Sequence, residues 1–246
     1  MLARHAGARI GKVIVLDAGV LRGVGARGLQ AALRGRRFRR PRRHGKWLVA
    51  PTDGRTILLF HFGMTGSLSW AKAGESRHAH DRIVFVLERR ELRYRDLRKL
   101  QGLRVLHSDA ELERLLATLG PDALDISLPQ FNERLRSRGR LKTRLADQTV
   151  IAGLGNLLID EMCWRARVNP MRGTDHLGDA ERMRLYRAMR RVLKDSLPVG
   201  RVPGYRSWLT GRRSEAGARC PRCNARLSRR KVGGRTTVWC PRCQKE

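Results

Sequence analysis

Cys220-Pro221-Arg222-Cys223 and Cys240-Pro241-Arg242-Cys243 are two Cys-x-x-Cys sequences separated by sixteen residues. Two residues between the thiolates let both sulfurs face one tetrahedral zinc ion at about 2.3 Å, and two such pairs complete a closed four-thiolate shell. The residues between the pairs alternate in polarity, turn at Gly233-Gly234 and return through 236–239, as a two-stranded ribbon does. The sequence therefore predicts one structural zinc ion, Zn²⁺, with no open coordination position for catalysis.

The overall charge of the chain indicates a polyanionic partner. Lys and Arg number 53 against 22 Asp and Glu, which gives a formal net charge of +31 over 246 residues. This excess is too large for an enzyme of neutral metabolites and favours nucleic acid, with DNA as the expected form. An anionic membrane surface and an arginine-rich source proteome are the alternatives.

Targeting signals are weak. The apolar run nearest the start, Val13-Ile14-Val15-Leu16, is shorter than the roughly 7–15 residues of a signal-peptide core. No stretch approaches the ~20 apolar residues of a membrane span. Four of the five cysteines have metal spacing rather than the pattern of a disulfide scaffold. We therefore expect a soluble intracellular protein.

The chain is expected to form an α+β multidomain protein with three parts. Residues 1–107 are predicted to be rich in strands, with one short helix near Ala26–Leu33. Residues 108–219 are predicted to be helical with a connector, and residues 220–246 form the zinc module. The predicted strands are 46–50, 56–62, 83–87 and 91–94, and the last two form a hairpin across Arg89-Arg90.

The helical part begins at Ser108-Asp109-Ala110-Glu111, which has the form of a capping box. Gly120-Pro121 ends this first helix. Three further helices are predicted, at 129–138, from Gly155-Asn156 onward, and at 179–197.

Three other motifs suggest contact with phosphate or bases. Residues 34–43 contain seven arginines, which is typical either of a solvated surface or of a polyanion contact. Gly153-Leu154-Gly155-Asn156 opens a helix whose free N–H groups favour a phosphate, although a plain tight turn explains it equally well. Met64 lies in a glycine-flanked turn, where it either packs into the core or forms an exposed wedge for a base stack.

In order and spacing, these pieces resemble the formamidopyrimidine-DNA glycosylase/endonuclease VIII family of base-excision enzymes. The resemblance implies an N-terminal β-sandwich domain, a helix–two-turn–helix domain and a zinc-finger hairpin, with DNA bound in the cleft between them. The segments that carry it, besides the zinc module, are Arg42–Leu48, His61–Leu68, His80-Asp81, Arg93–Arg98, Leu119–Pro121 and Gly153–Asn156.

The resemblance also assigns roles to particular residues. Lys46 matches a lysine that contacts phosphate at the lesion and assists β-elimination. Arg235 matches the zinc-finger arginine of phosphate binding and δ-elimination. Asn156 matches an asparagine that holds a phosphate at a helix start, and His80 matches a DNA-contacting histidine.

A second group of residues is expected to occupy the duplex itself. Met64 and Arg98 match side chains that fill the gap left by a flipped nucleotide, with Arg98 facing the orphaned base. Leu100 stands where many members have a wedging Phe, which leaves the preferred damage open between oxidised purines and oxidised pyrimidines. Arg138 and Lys142, in the helical part, are further expected DNA contacts.

The start of the chain departs from the family pattern. Members begin with Pro-Glu before the region that matches residues 1–5, and neither residue is present here. In the family the proline amine attacks the sugar C1′, and the Glu acts as general acid and base. A misassigned start, a truncation and a natural loss of chemistry are the three explanations, and the first is preferred.

The expected function is that of a base-excision-repair DNA glycosylase and AP lyase acting on oxidised bases. Its expected partner is double-stranded DNA with a damaged base or abasic site, bound by a monomer in the bacterial cytoplasm at the nucleoid. The alternatives are a non-catalytic damaged-DNA-binding protein of the same fold and, as a minor one, a zinc-ribbon RNA-binding protein.

Overall fold

A computed structural model describes residues 7–88 and 90–245. The segment 1–5, where the family pattern departs, and Arg89 of the predicted hairpin turn lie outside the described residues. The chain divides into two compact units, Met1–Thr118 and Leu119–Glu246. The boundary expected after residue 107 lies one helix before this division.

The described part of the first unit contains two sheets, in which nearly all neighbouring strands are antiparallel. The four-stranded sheet has the order β1-β7-β8-β6, and the five-stranded sheet has the order β2-β9-β5-β4-β3. The strands of the first sheet are β1 Ile10–Val15, β6 Ser67–Lys72, β7 Asp81–Leu87 and β8 Arg90–Arg95. Those of the second are β2 Leu21–Arg22, β3 Arg42–His44, β4 Trp47–Pro51, β5 Ile57–His61 and β9 Gly102–Leu106.

The core of this unit lies between the two sheets. Phe60 of β5 packs against Phe85 of β7 and Tyr94 of β8, with ring centroids 6.1 and 5.9 Å apart. Alternate residues of β5, Ile57 and Leu59, face the opposite side of their sheet. Both faces of β5 are therefore buried, which explains its continuous apolar sequence.

Two α-helices cover the sheets in the part of this unit that the structure describes. Helix α1, Ala26–Leu33, coincides with the predicted helix and buries Leu29 and Leu33. Helix α2, Asp109–Ala117, begins at Ser108, whose side chain accepts a hydrogen bond from the Glu111 backbone. Because Leu112 of α2 packs on the outer face of the five-stranded sheet, this helix belongs with the strands.

The second unit is built around α5, Asn156–Ala166, whose side chains are buried on nearly every face. The other helices are α3 Leu128–Arg134, α4 Leu141–Ala146 and α6 Asp179–Ser196. The helix predicted at 129–138 ends at Arg134, and α4 is an additional helix that begins after Gly139, whose φ is +150°.

The zinc module packs on α5. Strands β10, Ser228–Val232, and β11, Arg235–Trp239, form the predicted two-stranded ribbon around Gly233-Gly234. Trp164 of α5 lies in a buried cluster with Val238 and the cysteines. The architecture is thus an α+β one: a β-sandwich, a helical domain and a C-terminal zinc hairpin. No helix in the described part of the chain is long and apolar enough to span a membrane.

Candidate nucleic-acid interface

The loop between β5 and β6 presents Met64 to solvent, with 73% of the residue exposed. Gly63 has φ +55°, and a Cβ at Gly66 would lie 2.5 Å from the Phe62 carbonyl oxygen. The Gly66 N–H donates to that same oxygen at 2.7 Å. Both glycines are therefore required for a turn tight enough to place an apolar side chain at its exposed tip.

The loop between β8 and β9 adjoins this turn and carries Arg98 and Leu100. The Arg98 guanidinium donates to the Met64 sulfur, with Nη1 3.0 Å from Sδ. Leu100 is 52% exposed. Two of the residues expected to fill a gap in the duplex thus touch each other, and the expected wedge residue lies in the same loop.

A buried carboxylate, Asp96, fixes both loops. Its Oδ1 accepts from the Thr65 hydroxyl at 2.6 Å and from the Arg98 backbone N–H at 3.1 Å, while its Oδ2 accepts from the Tyr94 hydroxyl at 3.2 Å. Burial alone would raise the pKa of Asp96, but these hydrogen bonds and one from the Lys99 backbone outweigh it and lower the pKa. Asp96 is therefore a carboxylate at neutral pH.

His80 is joined to the same carboxylate residue through the backbone. The Asp96 N–H donates to the His80 carbonyl at 3.0 Å, and the Arg82 Nε donates to the Asp96 carbonyl at 2.8 Å. Arg82 Nη2 lies 3.3 Å from His80 Nδ1. The half-buried imidazole is thus oriented by a cation that is itself anchored on the Asp96 backbone.

Lys46 lies in the turn between β3 and β4. Trp47, the first residue of β4, pairs with His61, the last residue of β5, and their rings lie 4.9 Å apart. Burial, followed by the nearby Lys46 charge, lowers the pKa of His61. Since β4 begins where β5 ends, Lys46 and the Met64 loop leave the sheet at the same end.

In the second unit, Asn156 is the first residue of α5. Its Nδ2 donates to the Thr236 carbonyl at 3.0 Å. Thr236 directly follows Arg235 in β11, so the helix start and the zinc ribbon meet at this point. The structure thus brings Asn156 beside the chain segment that carries Arg235, and each of the two residues is predicted to bind phosphate.

Arg235 follows the tight turn of the zinc ribbon. Gly233 and Gly234 have φ values of +54° and +73°, and the Arg235 guanidinium donates to the Gly233 carbonyl at 3.3 Å. A Cβ at Gly233 would lie 3.6 Å from the Thr143 hydroxyl of α4. The exposed Arg235 side chain is therefore held at the tip of the ribbon beside the helices.

The structure does not support Lys142 as a direct DNA contact. Its side chain is fully buried, and its ammonium donates to Asp160 Oδ1 at 2.5 Å and to the Asn156 carbonyl at 3.0 Å. Burial lowers the pKa of Lys142 and raises that of Asp160. Lys142 instead forms an ion pair inside the protein, because a buried carboxylate such as Asp160 is strongly destabilising without a neighbouring cation.

Asp160 has two further partners. The Arg213 guanidinium lies 2.7 Å from its Oδ2 and also donates to the Thr236 carbonyl at 3.0 Å. The Val238 N–H donates to Oδ2 at 3.3 Å. One buried carboxylate therefore links α4, α5, the connector and β11.

Arg138 is exposed to solvent. Its side chain is 92% accessible, and its Nε lies 3.8 Å from Asp175, a surface ion pair of little energetic weight. It is therefore available to a phosphate.

The four cysteines form a set that fits one zinc ion. The sulfurs of Cys220, Cys223, Cys240 and Cys243 all lie within 4.8 Å of one another. Four converging thiols are a typical donor set for structural zinc. The Trp164 indole donates to the Cys220 sulfur at 3.3 Å, which ties the metal shell to α5.

Sequence reasoning gave no role to Asp96, Asp160, His61 or Arg213. Asp96 lies inside the quoted motif Arg93–Arg98, but an acidic residue in a basic stretch gives no sign that it is buried. Asp160 interrupts an otherwise apolar face of its helix, and this interruption is the one sequence feature that could have indicated a buried carboxylate.

Comparisons with known proteins cover nearly the whole chain. Residues 1–103 match the model described as "Formamidopyrimidine-DNA glycosylase N-terminal domain". Residues 119–203 match "Formamidopyrimidine-DNA glycosylase H2TH domain", and residues 217–245 match "Zinc finger found in FPG and IleRS".

Individual proteins are similar at the level of sequence and structure. The formamidopyrimidine-DNA glycosylase of Heliobacterium modesticaldum is 37% identical over 236 residues, covering 87% of this chain and 84% of that protein. That of Thermus thermophilus is 35% identical, covering 88% and 85%. The Lactococcus lactis Fpg bound to DNA with an abasic site superposes with a TM-score of 0.86 at 28% identity, covering 99% of this chain and 94% of that one. The same L. lactis protein bound to DNA containing N7-benzyl-Fapy-dG also has a TM-score of 0.86, at 27% identity.

Proposed function

The chain belongs to the formamidopyrimidine-DNA glycosylase family, and we propose that it removes oxidised bases from double-stranded DNA and cleaves the strand at the resulting abasic site. The family's enzyme class is that of DNA glycosylases with AP-lyase activity, and DNA is its partner. The solved L. lactis relatives are bound to abasic or Fapy-dG DNA, which supports damaged duplex as the substrate here.

The contact between Met64 and Arg98 is the observation that carries this proposal. Extrusion of a nucleotide leaves a hole in the base stack that an apolar or cationic side chain must fill. An exposed methionine and an exposed arginine that touch at 3.0 Å, on loops fixed by one buried carboxylate, suit that task. Arg98 faces the orphaned base in this assignment, and Leu100 wedges beside the lesion.

The remaining assignments concern phosphates and proton transfer. Lys46 contacts the phosphate at the lesion and assists β-elimination, in which the C2′ proton is lost and the 3′ phosphate leaves. Arg235 binds phosphate and supports δ-elimination, which releases the 5′ phosphate. Asn156, His80 and Arg138 hold the DNA backbone, while the zinc ion, when bound, only stabilises the hairpin that carries Arg235.

Base removal itself needs a neutral amine that attacks the sugar C1′, so that the glycosidic bond breaks and the base leaves with a proton. The C1′–O4′ bond of the resulting aminal then breaks, O4′ takes up a proton, and a Schiff base forms between the amine and C1′. A terminal amine suits this step because its pKa of about 7.7–8.0 leaves a neutral fraction at pH 7. The family resemblance gives this amine to an N-terminal proline, and the printed sequence has no proline before Pro41.

We further propose that the protein acts as a monomer on the chromosome, in the cytoplasm at the nucleoid. All of the assigned DNA contacts come from one chain, so that a second copy is not needed to complete the site.

Borohydride trapping on abasic-site duplex tests the proposed function. The chain should be compared with a protein whose N-terminus is extended to begin Pro-Glu with a family-type helix. The extended protein should give a trapped covalent complex and nick the strand, whereas the chain as printed should bind the same duplex with little trapping. Lys46→Ala in the extended protein should impair nicking more than it impairs binding.

Two outcomes would contradict these assignments. If the extended protein cleaves no lesion, the chain is a non-catalytic binder of damaged DNA. If the chain as printed is trapped efficiently, an amine other than an N-terminal proline is the nucleophile.

A further inference from the structure

Six exposed arginines form a continuous basic segment in the first unit, here called the arginine edge: Arg34, Arg36, Arg37, Arg39, Arg40 and Arg42. The sequence contains no Asp or Glu between Asp17 and Asp53, while ten basic residues fall in that interval. The proposed damage-recognition residues make no use of this segment, although it is the densest positive charge in the chain.

The segment runs along the margin of the five-stranded sheet. The Arg39 N–H donates to the Pro51 carbonyl at 2.8 Å, and Arg42 pairs with Val49, so the segment lies antiparallel to β4. Phe38 is buried in the core between the sheets and fixes the segment in place. At about 3.3 Å per residue, the part from 36 to 42 is ~20 Å long.

One carboxylate contacts the backbone of the arginine edge, since Asp53 Oδ1 accepts from the Arg37 N–H at 3.0 Å. Within residues 7–88 and 90–245, none of its six arginines forms an ion pair. The basic face of α6 differs in this respect, since Arg191 lies 3.0 Å from Asp195 and Arg184 lies 4.0 Å from Glu181. The edge is therefore an array of like charges that repel one another until an external polyanion neutralises them.

The arginine edge also extends away from the assigned lesion-binding residues. Phe38 bridges to Thr52, beyond the last residue of β4, whereas Lys46 immediately precedes the first residue of that strand. Residues 36–40 thus lie at the opposite end of the sheet from Lys46 and the Met64 loop.

We propose that the arginine edge is a second contact surface for duplex DNA, which binds phosphates without regard to sequence or damage. It takes from the proposed function only that DNA is the partner. Duplex DNA presents about one negative charge per 1.7 Å of axis, so cations spread along ~20 Å of an extended segment can neutralise several phosphates at once. Charged side chains at the margin of a sheet also protect it against aggregation. One or two charges suffice for this purpose, so it does not explain the six arginines of the arginine edge.

Salt dependence of binding to undamaged duplex tests this proposal. The edge variant is Arg36→Gln, Arg39→Gln and Arg40→Gln, whose side chains lie outside the lesion machinery. The matched control removes the same charge from α6 by Arg187→Gln, Arg191→Gln and Lys194→Gln. Each lost phosphate contact reduces the magnitude of the slope of log K against log salt by about 0.9. The slope of the edge variant should therefore be shallower than that of the wild type by about 2–3, and the slope of the control by less than about 1.

A charge-conserving variant and a damage readout complete the experiment. Lysine at the same three edge positions should keep the wild-type slope, which excludes a folding defect as the cause. The ratio of affinities for abasic and undamaged duplex should not change in the edge variant, because both affinities fall together. If the wild-type chain shows no preference for abasic duplex, the proposed damage recognition is wrong. The comparison of salt slopes between the edge variant and the control still tests the arginine edge, because it uses undamaged duplex.

Equal slopes for the edge variant and the α6 control would overturn the proposal and leave the edge as a solvated surface. So would weakened binding to phosphatidylserine vesicles with unchanged binding to duplex, since the partner would then be a membrane.

Discussion

Asp96 shows how one residue organises the exposed side chains of the first unit. Its carboxylate accepts hydrogen bonds from Thr65 in the Met64 loop and from the Arg98 backbone, and its backbone N–H binds the His80 carbonyl. Asp96 is thus hydrogen-bonded to His80 and Arg98 through their backbones, and to the Met64 loop through Thr65.

Asp96→Asn should therefore weaken damage recognition more than it weakens general DNA binding. The amide keeps the size of the side chain but loses the charge and one of its acceptor oxygens, so the two loops separate. We expect the preference for abasic over undamaged duplex to fall by about 10-fold, or ~1.4 kcal/mol. Asp109→Asn, an exposed acidic residue of α2, is the matched control, and a fall of equal size there would contradict the role of Asp96.

The effect of pH on the Asp96 hydrogen bonds follows from the lowered pKa of its carboxyl group. An Asp whose pKa is lowered by folding adds stability above its unfolded value of about 3.9, and this stability is lost as pH falls through the folded value. Asp96 itself should therefore contribute no change in abasic preference between pH 5 and 8.

At the scale of elements, the strongest local patterns were predicted correctly. The zinc ribbon, helix α1 and the pairing of β7 with β8 are confirmed. The ribbon has a cysteine and glycine signal, whereas β7 and β8 were recognisable from their short apolar or alternating runs alone. The division into domains at residues 107 and 219 stays a prediction.

Other elements had no local signal. Strand β3 reads Arg-Arg-His, and its pairing with β4 comes from the buried Phe38 nearby rather than from its own alternation. Helix α4 is six residues long and is stabilised by burial of Leu141 and Leu145 against other helices. The burial of Lys142 was missed for the same reason, since its partner Asp160 lies eighteen residues away on α5.

The ionic cluster between α5 and the zinc ribbon gives a prediction at this scale. Asp160→Asn leaves the buried Lys142 and Arg213 without a counter-charge, a change that typically costs about 3–5 kcal/mol. Thermal and denaturant unfolding should show this loss, and the affinity for DNA should fall because Thr236 and Arg235 are no longer held beside Asn156.

Asp195→Asn is the matched control for this cluster, because it breaks the surface ion pair with Arg191. Pairs of this kind contribute about 0–1 kcal/mol. A similar loss of stability for both variants would mean that the buried cluster is not what holds the ribbon to the helices.

At the scale of the whole molecule, the net charge of +31 and the assigned contacts are divided between both units. In the proposed function, the first unit supplies Lys46, Met64, His80 and Arg98, of which Met64 and Arg98 fill the gap left by the flipped nucleotide. In the same proposal, the second unit supplies Asn156 and Arg235 as phosphate contacts. We propose that general attraction to DNA follows from charge, whereas recognition of damage depends on the loops that carry Met64 and Arg98.

The most direct measurement compares the affinity of the chain for a duplex with a stable abasic analogue and for the matched undamaged duplex, at one fixed salt concentration. The structure predicts at least about 10-fold tighter binding to the abasic duplex. The double variant Met64→Ala and Arg98→Ala should lower this ratio towards one while retaining most of the affinity for undamaged DNA. Equal affinity of the unmodified chain for the two duplexes would contradict the assignment of these loops to damage recognition.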